Sequence, residues 1–260
     1  MNDEYKNDID SIRKNLKIKD RLILSLDVPD KLKAFEVLKK ADNKISTVKV
    51  GLELIYNEGL KIINSVKKTG YKVLLDAKLI DIPNTVSGAI KGISKIDVEM
   101  ITMHTFGGAS MLKSASDVLN EICMQKNKKK PLLFGVTVLT SLDENDLKDF
   151  GFDIKFSDIV LRMTKIALNN GIDGIICSPN EVKMLRENFG NNFLIATPAI
   201  RLAEDKVEDQ KRINTPEKAI ADGSDFIIVG RSIINSSDIS DTIDLYLKKI
   251  KKELLNDKSC

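Results

Sequence analysis

Eight short apolar runs rich in β-branched residues recur along the chain, at 21–28, 45–51, 72–78, 98–104, 132–140, 174–178, 193–199 and 226–230. Between them lie longer segments whose apolar residues follow helical spacing, among them 31–41, 60–69, 85–95, 109–125, 157–170 and 216–222. Strands separated by helices cannot pair through tight hairpins; they need crossover connections and therefore a parallel sheet. Eight such units within 260 residues fit a closed (β/α)8 TIM barrel better than an open doubly wound sheet. A helix over 3–16 precedes the first strand and another over 241–255 closes the ring. The expected organisation is an N-terminal helical extension, 1–20, followed by one barrel domain, 21–260, with no Pro, Gly or Ser linker dividing it.

Charge argues against a nucleic-acid or membrane role. The formal net charge is +3, spread through the sequence, and no basic block carries interleaved aromatics. The lysine runs at 126–130 and 248–252 read as solvated faces or helix ends. No run approaches membrane-spanning length, and the first 19 residues alternate acidic and basic side chains without the apolar centre of a signal peptide. The three cysteines, Cys123, Cys177 and Cys260, are widely separated and suggest neither a disulfide framework nor a zinc knuckle. A cytoplasmic, reducing setting is the expectation.

In a barrel of this kind the active site lies at the carboxy-terminal ends of the strands, so polar residues there gain weight. The expected strand ends deliver Asp27, Lys49, Asp76 with Lys78, His104, Thr140, Arg201, and Gly230 with Arg231. In the segment D-A-K-L-I-D-I-P-N-T, 76–85, strand alternation puts Asp76 and Lys78 on one face, with Asp81 just beyond. Burying such charges is a weak device for stability, which favours a functional use over a structural ion pair. The last two strands of such barrels often build a phosphate cradle, and Pro198, Arg201, Gly230 and Arg231 occupy those positions. The lone histidine, His104, reads as a hydrogen-bonding residue that shapes the site; without His or Cys partners it is a poor metal ligand. Segments 142–156 and 202–214 are long enough to act as lids.

These residues resemble the orotidine 5′-phosphate decarboxylase family. The pattern D-x-K-x-x-D-I-P-x-T is matched in full by Asp76, Lys78, Asp81, Ile82, Pro83 and Thr85. The resemblance runs from about Arg21 to Ile233, with support from Leu26-Asp27, Lys49-Val50-Gly51, His104 with Gly107-Gly108, the V-T-V-L-T-S segment at 136–141, Asp209-Gln210-Lys211-Arg212 and Val229-Gly230-Arg231. It implies that Lys78 protonates the carbanion left when carbon dioxide departs, with Asp76 beside the leaving carboxylate. Asp27 and Lys49 would hold the ribose hydroxyls, and Lys49 would also brace Asp76. Asp81 would come from a neighbouring subunit, making the site depend on a homodimer. Thr140 would touch the pyrimidine, while Arg201, Gln210, Gly230 and Arg231 would hold the phosphate. Ile82, Pro83, Thr85 and Pro198 would complete the substrate contacts. The substrate implied is a nucleotide, and no metal or organic cofactor is implied.

One position departs from the family pattern. The segment T-P-G-I-R carries Ala199 in place of glycine, and if that position needs positive φ the methyl group costs about 1 kcal/mol and loosens the phosphate grip. Three rival readings use the same residues: a sugar-phosphate barrel working through a metal-stabilised enediolate, a Schiff-base aldolase using Lys78, and a non-catalytic nucleotide-binding scaffold. The carboxylates beside Lys78 argue against the second, and the intact charged strand ends against the third.

Overall fold

The computed structural model describes residues 8–202 and 214–256, and among them eight parallel strands close into a barrel in chain order. They are β1 Leu22–Ser25, β2 Thr47–Val50, β3 Lys72–Leu79, β4 Met100–His104, β5 Leu132–Val136, β6 Gly174–Ile176, β7 Leu194–Thr197 and β8 Phe226–Val229. Closure is direct, with Leu22, Ile23 and Leu24 registering against Ile227, Ile228 and Val229. The sequence expectation of a (β/α)8 barrel therefore holds, although most strands are shorter than the apolar runs that mark them. Asp27 and Thr140 stand beyond the last paired residues of β1 and β5, because chain that leaves the ladder is free to turn a polar side chain into the barrel mouth.

Alternation along the strands builds the interior in layers. Ile23, Leu74, Phe134, Leu194, Phe226 and Ile228 belong to one buried cluster inside the barrel. Residues of opposite parity, such as Leu24, Val73, Leu75, Ile101 and Leu133, belong to the larger cluster between strands and helices. Two residues further along an inward row the chain lines the upper cavity: Ser25 follows Ile23, Asp76 follows Leu74, and Gly230 follows Ile228. The apolar layer is thus the floor on which the charged layer stands.

The helix Ile9–Asn15, capped by Asp8, lies beneath this floor and contributes Ile9, Ile12 and Leu16 to the interior cluster. Arg13 on that helix donates to Asp225 at 2.7 Å, and Arg186 donates to the other oxygen of the same carboxylate, also at 2.7 Å. This helix is thereby fastened to the start of β8. The long helix Ile239–Asn256 completes the ring as expected.

Other helices follow the sequence reading with adjustments. The expected helix 60–69 is Lys61–Lys67, and a further helix that the sequence reading did not assign, Leu52–Glu58, precedes it across Gly59, whose φ of 69° a side chain would resist. Val182–Phe189 and the short Glu144–Asp149, which lies inside the proposed lid segment 142–156, are helices the sequence reading did not assign.

Candidate active site

The charged strand ends meet. Lys49 donates through Nζ to Asp27 Oδ1 at 2.8 Å and lies 3.1 Å from Asp76 Oδ2, while Lys78 Nζ donates to that same Asp76 oxygen at 2.8 Å. Asp27, Lys49, Asp76 and Lys78 thus form a continuous chain of alternating sign drawn from β1, β2 and β3. Side-chain exposure rises outward from Asp76 at 6% and Lys49 at 11% to Lys78 at 34% and Asp27 at 47%. The middle of the array is therefore fixed within protein, and its two ends open onto a cavity of about 220 Å³ at the barrel mouth.

The electrostatics follow from this burial gradient. Burial opposes ionisation of Asp76, yet the charges of Lys49 and Lys78 outweigh it and hold the carboxyl below the usual carboxylate range. Burial likewise works against the Lys49 ammonium, but Asp76 and Asp27 win and raise its pKa above the ordinary lysine value. Burial, with a smaller effect of the Lys78 charge, lowers the pKa of His104. That imidazole accepts a hydrogen bond at Nδ1 from the Phe106 amide at 3.4 Å and stacks on the Phe106 ring. Phe106 in turn meets Phe152 with ring centroids 6.1 Å apart, joining the loop after β4 to the segment after β5. His104 is thus tied through Phe106 to the segment after β5 and is not among the residues that line the cavity.

Two polar residues of the site were not singled out from sequence. Ser25 donates to Asp27 Oδ2 at 2.7 Å. Thr102, fully buried on β4, donates to Asp76 Oδ1 at 2.9 Å and accepts the Lys78 backbone N–H at 2.9 Å. The signal available for both was their place two residues before Asp27 and His104 on inward-facing rows. Gly51 has a comparable hidden role: a Cβ there would stand 2.8 Å from Lys49 Nζ and 3.1 Å from Asp27 Oδ1.

The same cavity is also lined by Pro198, Ala199 and Arg201 after β7, and by Gly230 with Arg231 after β8, the strand next to β1. Ala199 has φ of 61°, so the methyl group does occupy a left-handed backbone position. The backbone there is held by Arg201 N–H to Asn214 O at 3.0 Å and Asn214 N–H to Ala199 O at 3.2 Å, which ties together the two ends of the 202–214 segment. Gln210 lies outside the described residues. Thr140 and Leu139 line the same cavity.

Four anticipated residues stand away from this cavity. Asp81, Ile82, Pro83 and Thr85 form an exposed rim at the start of the helix Pro83–Ile93, and Asp81 Oδ1 accepts from the Ile82 amide at 2.6 Å. Pro83 takes the first helical position, where its missing N–H has no cost. Exposed Ile80 and Ile82 flank Asp81. Among the described residues no group of three or more His, Cys, Asp or Glu side chains is arranged to hold a metal ion. No described helix is long and apolar enough to cross a membrane.

A parallel barrel whose strand ends present two lysines threaded between carboxylates, sharing one small cavity with two arginines, defines a (β/α)8-barrel enzyme. Residues 20–246 match the family described as "Orotidine 5'-phosphate decarboxylase / HUMPS family", and the chain belongs to that family. It is 42% identical over 232 residues to orotidine 5′-phosphate decarboxylase of Carboxydothermus hydrogenoformans, covering 89% of this chain and 96% of the relative. With the enzyme of that name from Bacillus thuringiensis subsp. konkukian it shares 43% identity over 213 residues, covering 82% and 89%. The crystal structure of orotidine 5′-phosphate decarboxylase from Lactobacillus acidophilus superposes with a TM-score of 0.78 at 36% identity, covering 89% of this chain and 99% of that one.

Proposed function

We propose that this chain decarboxylates orotidine 5′-phosphate to uridine 5′-phosphate in pyrimidine synthesis, and that the Asp27–Lys49–Asp76–Lys78 array performs the chemistry. The single observation that carries this reading is the shared oxygen: Asp76 Oδ2 takes both ammonium groups, within 3.1 Å. One carboxylate is thereby fixed at the cavity floor, with a proton-bearing nitrogen beside it.

A substrate carboxylate seated against Asp76 is repelled. At a separation of about 4 Å and an effective dielectric of about 20 the repulsion is roughly 4 kcal/mol, and it vanishes when the carboxylate leaves as neutral carbon dioxide. In the reaction the carbon–carbon bond breaks, its electron pair stays on the ring carbon, and Lys78 Nζ delivers a proton to that carbon. The same ammonium stabilises the developing anion before transfer. Lys49 and Asp27 hold the ribose hydroxyls, and Thr140 contacts the pyrimidine.

Arg201, Gly230, Arg231 and Gln210 bind the phosphate. These remote contacts supply binding energy that closes loops and expels water without taking part in the bond changes. Ile82, Pro83 and Thr85 reach the substrate of a second subunit, and Asp81 completes that subunit's charge array, so that the working enzyme is a homodimer. The exposure of Asp81 between apolar Ile80 and Ile82 supports this sharing, since a solvated carboxylate ringed by apolar side chains suits an interface better than an isolated surface. The buried Cys123 and Cys177 suit a reducing cytoplasm.

The direct test follows the ultraviolet absorbance of orotidine 5′-phosphate with purified protein, with and without a chelator. Loss of the substrate band at the same rate in both samples is expected. No turnover would overturn the decarboxylase reading, and chelator-sensitive turnover would favour the metal-dependent enediolate rival.

A further inference from the structure

We propose that Thr102 is a positioning residue for the proton-donating lysine, one hydroxyl setting both the carboxylate of Asp76 and the backbone that carries Lys78. The inference rests on the decarboxylase reading above and extends it to a residue outside the charged array.

The local backbone explains why such a residue is needed. β3 and β4 pair in register at Leu74 and Leu75, but the register shifts before Leu79 meets Met103. Within that irregular stretch Lys78 has φ of 44°, a left-handed conformation that a residue with a Cβ adopts only when its surroundings impose it. The bulge points Lys78 Nζ back toward Asp76, but it also takes the Lys78 amide out of the regular ladder. Its N–H then needs another acceptor, and the Thr102 hydroxyl supplies one at 2.9 Å.

Hydroxyl bookkeeping makes the arrangement directional. Thr102 Oγ1 has a single proton, which it donates to Asp76 Oδ1 at 2.9 Å, leaving its lone pairs for the Lys78 amide. Asp76 Oδ1 is thus occupied from below, and both ammonium groups are left to Oδ2. The hydroxyl couples the rotation of the Asp76 carboxylate to the position of the Lys78 backbone, a second link between residues already joined by the ion pair of their side chains. Because Thr102 is wholly buried beneath the cavity and does not line it, its influence passes through Lys78 and Asp76. Such a role alters the chemical step more than substrate affinity.

The test compares Thr102→Val, which keeps the shape and removes the hydroxyl, with Thr102→Ser, which keeps the hydroxyl. In the full-length protein Thr102→Val is expected to lower kcat about 30-fold with KM changed less than about 3-fold, while Thr102→Ser recovers kcat to within about 3-fold of the parent. Hydrogen–deuterium exchange over the peptide containing Lys78 is expected to be faster in the Val variant and near the parental rate in the Ser variant. A kcat loss equal in both variants, a loss confined to KM, or unchanged exchange at Lys78 in the Val variant would each overturn the proposal. Should the parent protein fail to turn over orotidine 5′-phosphate, the proposed function falls on that result alone, and the exchange comparison still decides whether Thr102 holds Lys78.

Discussion

Replacing Lys49 by methionine removes the charge at the centre of the array while keeping most of its length. In the parent, Lys49 Nζ lies 2.8 Å from Asp27 Oδ1 and 3.1 Å from Asp76 Oδ2. At 3.1 Å the gross attraction to Asp76 is about 5 kcal/mol at an effective dielectric of about 20. Losing one partner of a buried pair costs roughly 3–5 kcal/mol, and because Lys78 still pairs with Asp76 the low end applies, about 3 kcal/mol. Asp27 is nearly half exposed and adds little. For a chain of this size that corresponds to a fall in Tm of about 6–12 °C.

The pH dependence carries the sharper prediction. Asp76 titrates below its ordinary range in the folded protein, so its contribution is present above the unfolded carboxylate value, about 4, and is lost as pH falls through the folded value. In Lys49→Met the carboxyl titrates higher, and protonation relieves the uncompensated charge. The stability gap between parent and variant should therefore be full at pH 7 and should narrow as pH is lowered toward 4. Urea unfolding followed by circular dichroism, without nucleotide, measures this directly. A gap below about 1 kcal/mol, or one of equal size at pH 7 and pH 4, would refute the electrostatic account of the array.

The barrel was legible because its signal is carried by many residues at once: each apolar run marks a strand, and one misread boundary leaves the alternation intact. The array was legible for a related reason, since Asp27, Lys49, Asp76 and Lys78 fall at equivalent ends of successive strands, which parallel pairing must bring together. Thr102 was not legible. In the run M-I-T-M-H a threonine reads as an ordinary β-branched strand former, and its role depends on the register shift between Leu75 and Leu79, which no glycine or proline announces. Ala199 shows the same limit from the other side. Its positive φ contradicts its side chain, so the backbone there is set by the surrounding fold, and only the family pattern pointed to it. The helix Glu144–Asp149 was obscured because its stability comes from a capping box of Asp143 and Asp146, while a single apolar residue, Leu147, is buried. Asp81 is a different case. Its position follows from the motif, but it stands exposed at the start of the helix Pro83–Ile93 and away from the cavity, so its role rests on the proposed dimer.

Four further outcomes are expected. Lys78→Ala should lower decarboxylation by about 10³-fold or more while leaving the far-ultraviolet circular dichroism spectrum unchanged, because the side chain is a third exposed and serves no core packing; substantial activity in that variant would remove the assigned proton donor. Gly51→Ala should cost about 10-fold or more in kcat/KM but no more than about 1 kcal/mol in stability, since the new methyl meets the tip of the Lys49 side chain and not backbone; parental kinetics would mean that Lys49 tolerates displacement. Arg231→Ala should weaken binding of uridine 5′-phosphate far more than that of uridine by isothermal titration, and equal losses would deny it the phosphate. Finally, Asp81→Asn and Lys78→Ala proteins, each inactive alone, should regain activity when mixed, because a hybrid dimer pairs an intact Asp81 from one chain with an intact Lys78 from the other. At full subunit exchange half of the dimers are hybrids and each restores one of two sites, so about a quarter of parental activity is the ceiling, and no recovery despite demonstrated exchange would show that the array closes within a single chain.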